Sequence, residues 1–426
     1  VSAAPEPGPQ AQSRRALGEL GALMLDAGYA VTDVAHTLET AMEARGLQRT
    51  RAGVFPQAVL LDDGTGTRMT STTGQTLTFD QVGRTGRIVA AAYRGQGDWA
   101  ALRDGVAAVR ANPRQRPAWV AIVGNGCMTT GIAVVFGAYW WSLLADAVLG
   151  LLVGVALVVL SRYLKVAQLL PFLLPFIVTV VLWQAASLAG VHSVPLFAVC
   201  APLVVLIPGA AATNGVLELS AGDVVSGGSR LISALVVWAL LAAGIVAGAG
   251  LMGAELVGGS LVAGGGGPAP AHGWGAPVPG WLVWPATALI GIGVGLFCSA
   301  RARLTSVIVV VLLATYGLVR LLEPEVGPVV TIGVASALVL TATRLLELLA
   351  PAFPSVVVFR PAYWLLVPGS FGLIALTTDN GDPDLIRATL ATIIALTIGT
   401  QVAAIAAEGV QTMARARFRF LRRTRR

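Results

Sequence analysis

The stretch "LIPGAAATNGVLELSAGD", Leu206 to Asp223, runs an apolar segment into Pro208–Gly209 and then turns polar. The chain repeats the move at Leu366 to Asp382, "LVPGSFGLIALTTDNGD", around Pro368–Gly369. Proline removes a backbone donor and glycine relaxes the backbone, so either pair breaks a helix. In lipid, the groups freed by a break must be met by protein, water or a substrate. Two breaks placed alike point to a carrier with paired interrupted helices. The simpler alternative is that each Pro-Gly ends a span where water begins.

Working outward, composition makes the chain a membrane protein. Of 426 residues, 55% are hydrophobic and 12% charged, with a mean hydropathy of +0.76. A soluble exterior needs far more polar surface. Ten apolar segments follow Pro117, at 118–138, 141–160, 167–190, 195–212, 230–252, 281–299, 304–321, 328–349, 356–377 and 385–408. Each is near the roughly 20 residues a bilayer requires. The Gly/Pro-rich linker 253–280 has no Lys or Arg and divides them five and five. Residues 1–12 read as a disordered tail. Residues 13–116 read as a soluble α/β domain, 117–252 and 281–412 as two membrane halves, and 413–426 as a basic tail. No signal peptide is recognisable, so insertion is expected to rely on the spans themselves.

In the soluble part, Leu17, Leu20, Leu23 and Met24, then Val31, Val34, Leu38 and Met42, have helical spacing broken at Gly28. Thr32 or Asp33 is placed to cap the second helix. The stripe Leu17–Leu20–Met24 is available to dock on the membrane part or on another copy. Strand-like runs flank "DDGTG", a hairpin turn rather than a phosphate loop, because neither a helix nor a Walker lysine follows. Two further helices cover "DQVGRTGRIVAAAYRG" and "DWAALRDGVAAVRANP".

The formal charge of +7 is no nucleic-acid signal, since seven arginines crowd into the terminal "RARFRFLRRTRR". That is a flank for anionic lipid. With the soluble part in the cytoplasm, Arg162, Lys165, Arg230, Arg301, Arg303, Arg344 and Arg360 also fall inside, and Arg320 is the main positive charge outside. Both termini are then cytoplasmic. An odd number of spans per half makes the second half run opposite to the first, the signature of an inverted repeat with its substrate near the midplane.

Few polar residues interrupt the spans. Asp146, in "WWSLLADAVLGLLVGV", is costly unless paired, protonated or facing a cavity. It reads as a proton or substrate-amine site, or else as a residue solvated near an aromatic belt. Asn125, in "GNGCMTTG", has glycine neighbours that permit close helix approach. Asn214 and Glu218 are four apart and share a helix face. Asp223 is placed to pair with Arg230, and Arg344 with Glu347. Asp379 and Asn380 read as solvated loop residues, and Gln168, Gln184 and Gln401 as interhelical glue. Cys127, Cys200 and Cys298 lie in apolar runs and read as small buried or lipid-facing residues. His36, His192 and His272 form no metal set, and no cofactor is expected.

The order of these parts resembles the threonine/serine exporter family, bacterial inner-membrane carriers. The most specific pieces are "LDAGYAV" and the "PG…N…GD…SGGSR" stretch. Glu218 stands near the place where that family commonly has an aspartate. The resemblance implies a fused two-half carrier that exports threonine, serine and other small neutral amino acids, driven by protons. A membrane-embedded enzyme is the first rival, but no Ser-His-Asp, Cys-His or His-carboxylate cluster is evident. A channel is the second. A homo-oligomer is compatible with either.

Overall fold

The chain leaves its first helix through a Schellman turn. Gly28 adopts φ 89°, its amide bonds to Leu25 O (3.0 Å), and the Tyr29 amide reaches back to Met24 O (3.1 Å). Only glycine takes that left-handed position without strain. The computed structural model describes residues 9–111, 116–160, 163, 167–257, 260–263, 275–366, 387, 391–406 and 409. These divide into two compact units.

The first unit comprises Val1–Gln115, Asn214–Leu231 and Leu346–Val357. Helices α1 (Pro9–Asp26) and α2 (Val31–Ala44) precede a meander of β1 (Arg51–Phe55), β2 (Ala58–Asp62) and β3 (Thr67–Ser71); α3 (Phe79–Tyr93) and α4 (Trp99–Arg110) follow. The sheet is antiparallel in the order β1-β2-β3, with Asp62 opposite Thr67 across the "DGTG" turn. A Thr78–Gln81 capping box starts α3, and Asp98 caps α4 through the Ala101 amide. Leu17, Leu20 and Met24 are buried inside this unit, where α1 packs on β2 and α4. The stripe expected to dock elsewhere is therefore consumed by the unit's own core. Neither Thr32 nor Asp33 caps α2. The helix begins at Val31, and its preceding residue Ala30 makes no side-chain cap bond.

The second unit comprises Arg116–Thr213, Ile232–Leu345 and Val358–Arg426. Among the described residues, six helices are long and apolar enough to cross a membrane. They are α5 (Ala118–Val135), α6 (Trp140–Leu160), α7 (Leu170–Leu188), α10 (Val224–Leu251), α11 (Val283–Phe297, preceded by a 3₁₀ turn) and α12 (Ala302–Leu349). Between α7 and α10 lie α8 (Leu196–Cys200), a 3₁₀ turn over Ala201–Leu206 and α9 (Gly209–Ser220). After α12 come α13 (Ser355–Val358), a 3₁₀ turn over Arg360–Ala362 and α14 (Tyr363–Leu366). An apolar helix α15 covers Ala391–Ala406.

Three expectations change. The segment read as one span over 195–212 is α8, the 3₁₀ turn and the start of α9, because Pro202 and Pro208 cannot donate to a continuous ladder. Ile207 is extended (φ −67°, ψ 119°), as a residue before proline must be. The loop expected after 321 is instead helical up to Gly327 (φ 76°, ψ 165°), which breaks α12 into two arms. Finally, the start of the 253–280 linker is ordered: β5 (Ala254–Val257) and β6 (Ser260–Ala263) form a hairpin, and β4 (Ser193–Pro195) pairs with β6. The second break, Pro368–Gly369, lies outside the described residues, as do Asp379, Asn380 and the basic tail.

Glycines set the close helix contacts of this unit. A Cβ on Gly124 of α5 would lie 2.5 Å from the Phe297 amide nitrogen, and one on Gly293 of α11 would lie 2.6 Å from Gly124 O. Small residues let helices approach at backbone distance, which is how helices associate in lipid.

Candidate functional site

The polar residues picked out in the sequence fall into two groups, one in each unit. In the second unit, Asp146 sits in the seventh position of α6 with no exposed surface. Leu149 and Val153, three and seven residues further along α6 and so on the face of Asp146, belong to an apolar core with Trp141, Cys200 and Leu203. Among the described residues, neither carboxylate oxygen has a hydrogen-bond partner. A bare charge in such a place costs several kcal/mol, on the order of 3–5.

Asn125 lies on the neighbouring α5, also fully buried. Its Nδ2 donates to Gly150 O of α6 (2.7 Å), one turn beyond Asp146. Its Oδ1 has no partner among the described residues, and neither does Thr129 Oγ1, one turn further along α5. Thr129 packs where Gly150 has no side chain. Sequence reading missed Thr129, although its position four after Asn125 puts both on one helix face. The other wall is the irregular 201–206 turn, which touches both α5 and α6 and leads into Pro208–Gly209. Buried acceptors, a hydroxyl and a carboxyl next to broken backbone can together replace the water around a small polar solute.

In the first unit, α9 and α10 form a tight hairpin. A Cβ on Gly227 would lie 2.5 Å from Gly215 O, and one on Gly215 would lie 3.0 Å from Gly227 O. Across this crossing Arg230 Nε meets Glu218 Oε2 at 3.1 Å. The expected Asp223–Arg230 pair does not form. Asp223 Oδ1 instead accepts from the Ser226 amide (3.2 Å), capping α10, because a short carboxylate one residue before a helix finds free amides within its own turn. The first strong cap of α2 comes from far away: Glu218 Oε1 accepts from the Val31 amide at 2.9 Å. Asn214 Nδ2 reaches Gly28 O at 3.4 Å. Thus "LDAGYAV" and "N…GD…SGGSR", the two most distinctive stretches, meet each other.

The Glu218 carboxyl is pushed above its ordinary range. Burial is the main cause; the Val31 amide and Arg230 oppose it, while Asp223 and Asp33 add to it. A group whose folded value is raised contributes stability that is fully present below its unfolded value and lost as pH rises through the folded one. Relative to the ordinary 4.5, the loss begins there and continues upward. Glu218→Gln is therefore expected to flatten the fall in thermal stability of the purified full chain as pH rises from 4.5; a variant with the unchanged slope would refute this.

The same region is matched by comparison. The ThrE family model, that of the threonine/serine exporters, matches residues 15–252, more than half of the chain. The chain belongs to the threonine/serine exporter family. The match begins within α1, spans α2–α4, the first five apolar segments and both residue groups, and ends just before β5. No curated protein and no solved structure matches. The exporter is thus a multi-pass membrane protein and a transporter rather than an enzyme by family. Among the described residues, no group of three or more His, Cys, Asp or Glu is placed to hold a metal.

Proposed function

We propose that this exporter is a secondary carrier moving threonine and serine out of the cytoplasm, coupled to protons, in a bacterial inner membrane. The observation that carries the reading is Asp146, a buried carboxyl with no partner among the described residues, on a helix that is bonded by Asn125 of α5 at Gly150 and touched by the irregular 201–206 turn. A zwitterionic amino acid brings an ammonium that a carboxylate can meet and a carboxylate that half-helix amides can meet. The substrate hydroxyl pairs with Asn125 or Thr129. Small neutral amino acids other than threonine and serine fit the same chemistry.

The 5+5 inverted repeat belongs to the same proposal. It is supported by two correspondences. Each fourth apolar segment holds a short helix followed by a 3₁₀ turn that has proline near its start, Pro202 and Pro361. The first helices of the two halves, α5 and α11, approach reciprocally at Gly124 and Gly293. On this reading both termini and residues 13–116 are cytoplasmic and the linker 253–280 is exterior.

Labelled threonine taken up by inverted vesicles, with and without a collapsed proton gradient, tests the function. Uptake that needs the gradient supports it; no uptake of any small neutral amino acid overturns it. Pro208→Ala tests the broken helix. A continuous helix through Ile207 and Pro208 removes the free backbone, so transport is expected to fall about tenfold, the scale of one lost binding or preorganising contact, with the protein still present in the membrane. Normal transport by that variant would mean that the break only ends a span.

A further inference from the structure

We propose that segment 214–231 is held to the Gly28–Val31 turn by a releasable polar latch, pinned by Glu218, whose release is a step in the transport cycle. This rests on the exporter reading. Within the first unit, one turn meets two distant parts of the chain. Gly28 O and the Val31 amide are taken by Asn214 and Glu218. Between them, the Tyr29 hydroxyl donates to Glu347 Oε1 at 3.3 Å, and Glu347 Oε2 accepts from the Ser355 amide at 3.0 Å. Segment 214–231 belongs to the first membrane half and 346–357 to the second.

The two attachments differ in kind. Segment 346–357 is packed against the backbone of α3. A Cβ on Gly83 would lie 2.9 Å from Ala352 O, and one on Gly86 would lie 2.8 Å from Pro354 Cγ. Such close backbone packing does not open by small steps. Segment 214–231 meets the turn through polar groups, among them the hydrogen bonds of Asn214 and Glu218. Glu218 is fully buried and pairs with an Arg230 that is 18% exposed, and burial of such a pair offsets much of its attraction. An attachment that is specific in geometry and modest in net strength suits a part that lets go and returns. The α2 N-terminus then serves as the receiving end of the latch, since its free amides favour a carboxylate. Arg230 travels with Glu218 on the same hairpin, so release leaves no bare charge behind.

The test uses the full chain with Cys127, Cys200 and Cys298 replaced by alanine and retaining transport. Val31→Cys with Glu218→Cys is bridged by a short reducible bis-maleimide, and Tyr29→Cys with Glu347→Cys serves as the fixed-side comparison. Bridging 31 to 218 is expected to slow threonine transport by about tenfold or more, reversed by reductant, because a conformational step is blocked. Bridging 29 to 347 is expected to leave transport within about twofold of the unbridged variant. Undiminished transport with 31 and 218 fully bridged, or failure of that pair to bridge, overturns the latch. Hydrogen exchange on Glu218→Ala, measured without any transport assay, separates the latch from the exporter reading. Faster exchange in 29–33 and 214–231 but not in 346–357 supports the latch even where no amino acid is moved. Faster exchange in all three segments, or in none, overturns it.

Discussion

Asp146→Asn is expected to abolish proton-driven threonine export while leaving exchange of one amino acid for another. The substitution keeps the shape of the side chain and fixes the position as neutral. In an apolar setting with no hydrogen-bond partner among the described residues, the charged form is the expensive one. The variant is therefore expected to fold, with thermal stability no lower than that of the native chain. On the proposed mechanism, net export needs a group that alternates between holding a proton and meeting the substrate ammonium. An amide does neither, so gradient-driven flux is expected to fall by about two orders of magnitude, the scale on which an obligatory proton-transfer group acts. Counterflow, in which bound substrate is exchanged without a proton cycle, is expected to persist at reduced rate. Measuring both in the same proteoliposomes separates a lost proton carrier from a lost binding site. Export with unchanged pH dependence would pass the role to another residue, with Asp223, the α10 cap, next in line.

Local chemistry was legible in the sequence; partners far along the chain were not. Gly28 announced the break between α1 and α2 because a left-handed residue is a property of one position. Pro208 announced the interrupted fourth segment because a missing amide is a property of one residue. Periodicity marked Leu17, Leu20 and Met24 as apolar-facing, but not what they face, and the face proved to be their own unit's core. Asp223 and Arg230 looked like partners because they are near in sequence, whereas Glu218 takes Arg230 across a glycine crossing. The bond from Glu218 to Val31 joins residues 187 apart, a pairing no spacing rule reaches. Thr129 carried a signal, its place one turn from Asn125, but threonine is common in apolar helices and usually bonds its own turn. Here Thr287 and Thr315 do so, and the failure of Thr129 to do so is visible only in the structure.

Gly124→Ala is expected to cost far more folded protein than Gly126→Ala, although the two glycines share one helix and receive the same methyl group. At Gly124 the added Cβ would lie 2.5 Å from Phe297 N, 2.8 Å from Gly293 O and 2.9 Å from Leu296 Cβ. Backbone atoms of α11 cannot rotate away, so the whole helix must shift. At Gly126 the new atom would meet Leu151 Cδ2 at 2.7 Å and Cγ at 3.0 Å, the far end of a side chain with other rotamers to use. Overpacking a tight contact costs about 1–3 kcal/mol, and the two sites are expected at opposite ends of that range. Gly293→Ala is the reciprocal case, since its Cβ would lie 2.6 Å from both Gly124 O and Met128 N. If α5 and α11 are pushed apart by either methyl, the second adds little once the helices have moved. The double variant is then expected to lose less than the sum of the single losses, as neighbours sharing one displacement do. The measurement is the apparent unfolding midpoint in detergent, followed by the fraction of protein that stays monodisperse. A Gly124→Ala chain as stable as Gly126→Ala would mean that α5 and α11 do not approach at backbone distance, and the reciprocal contact that supports the inverted repeat would fall with it.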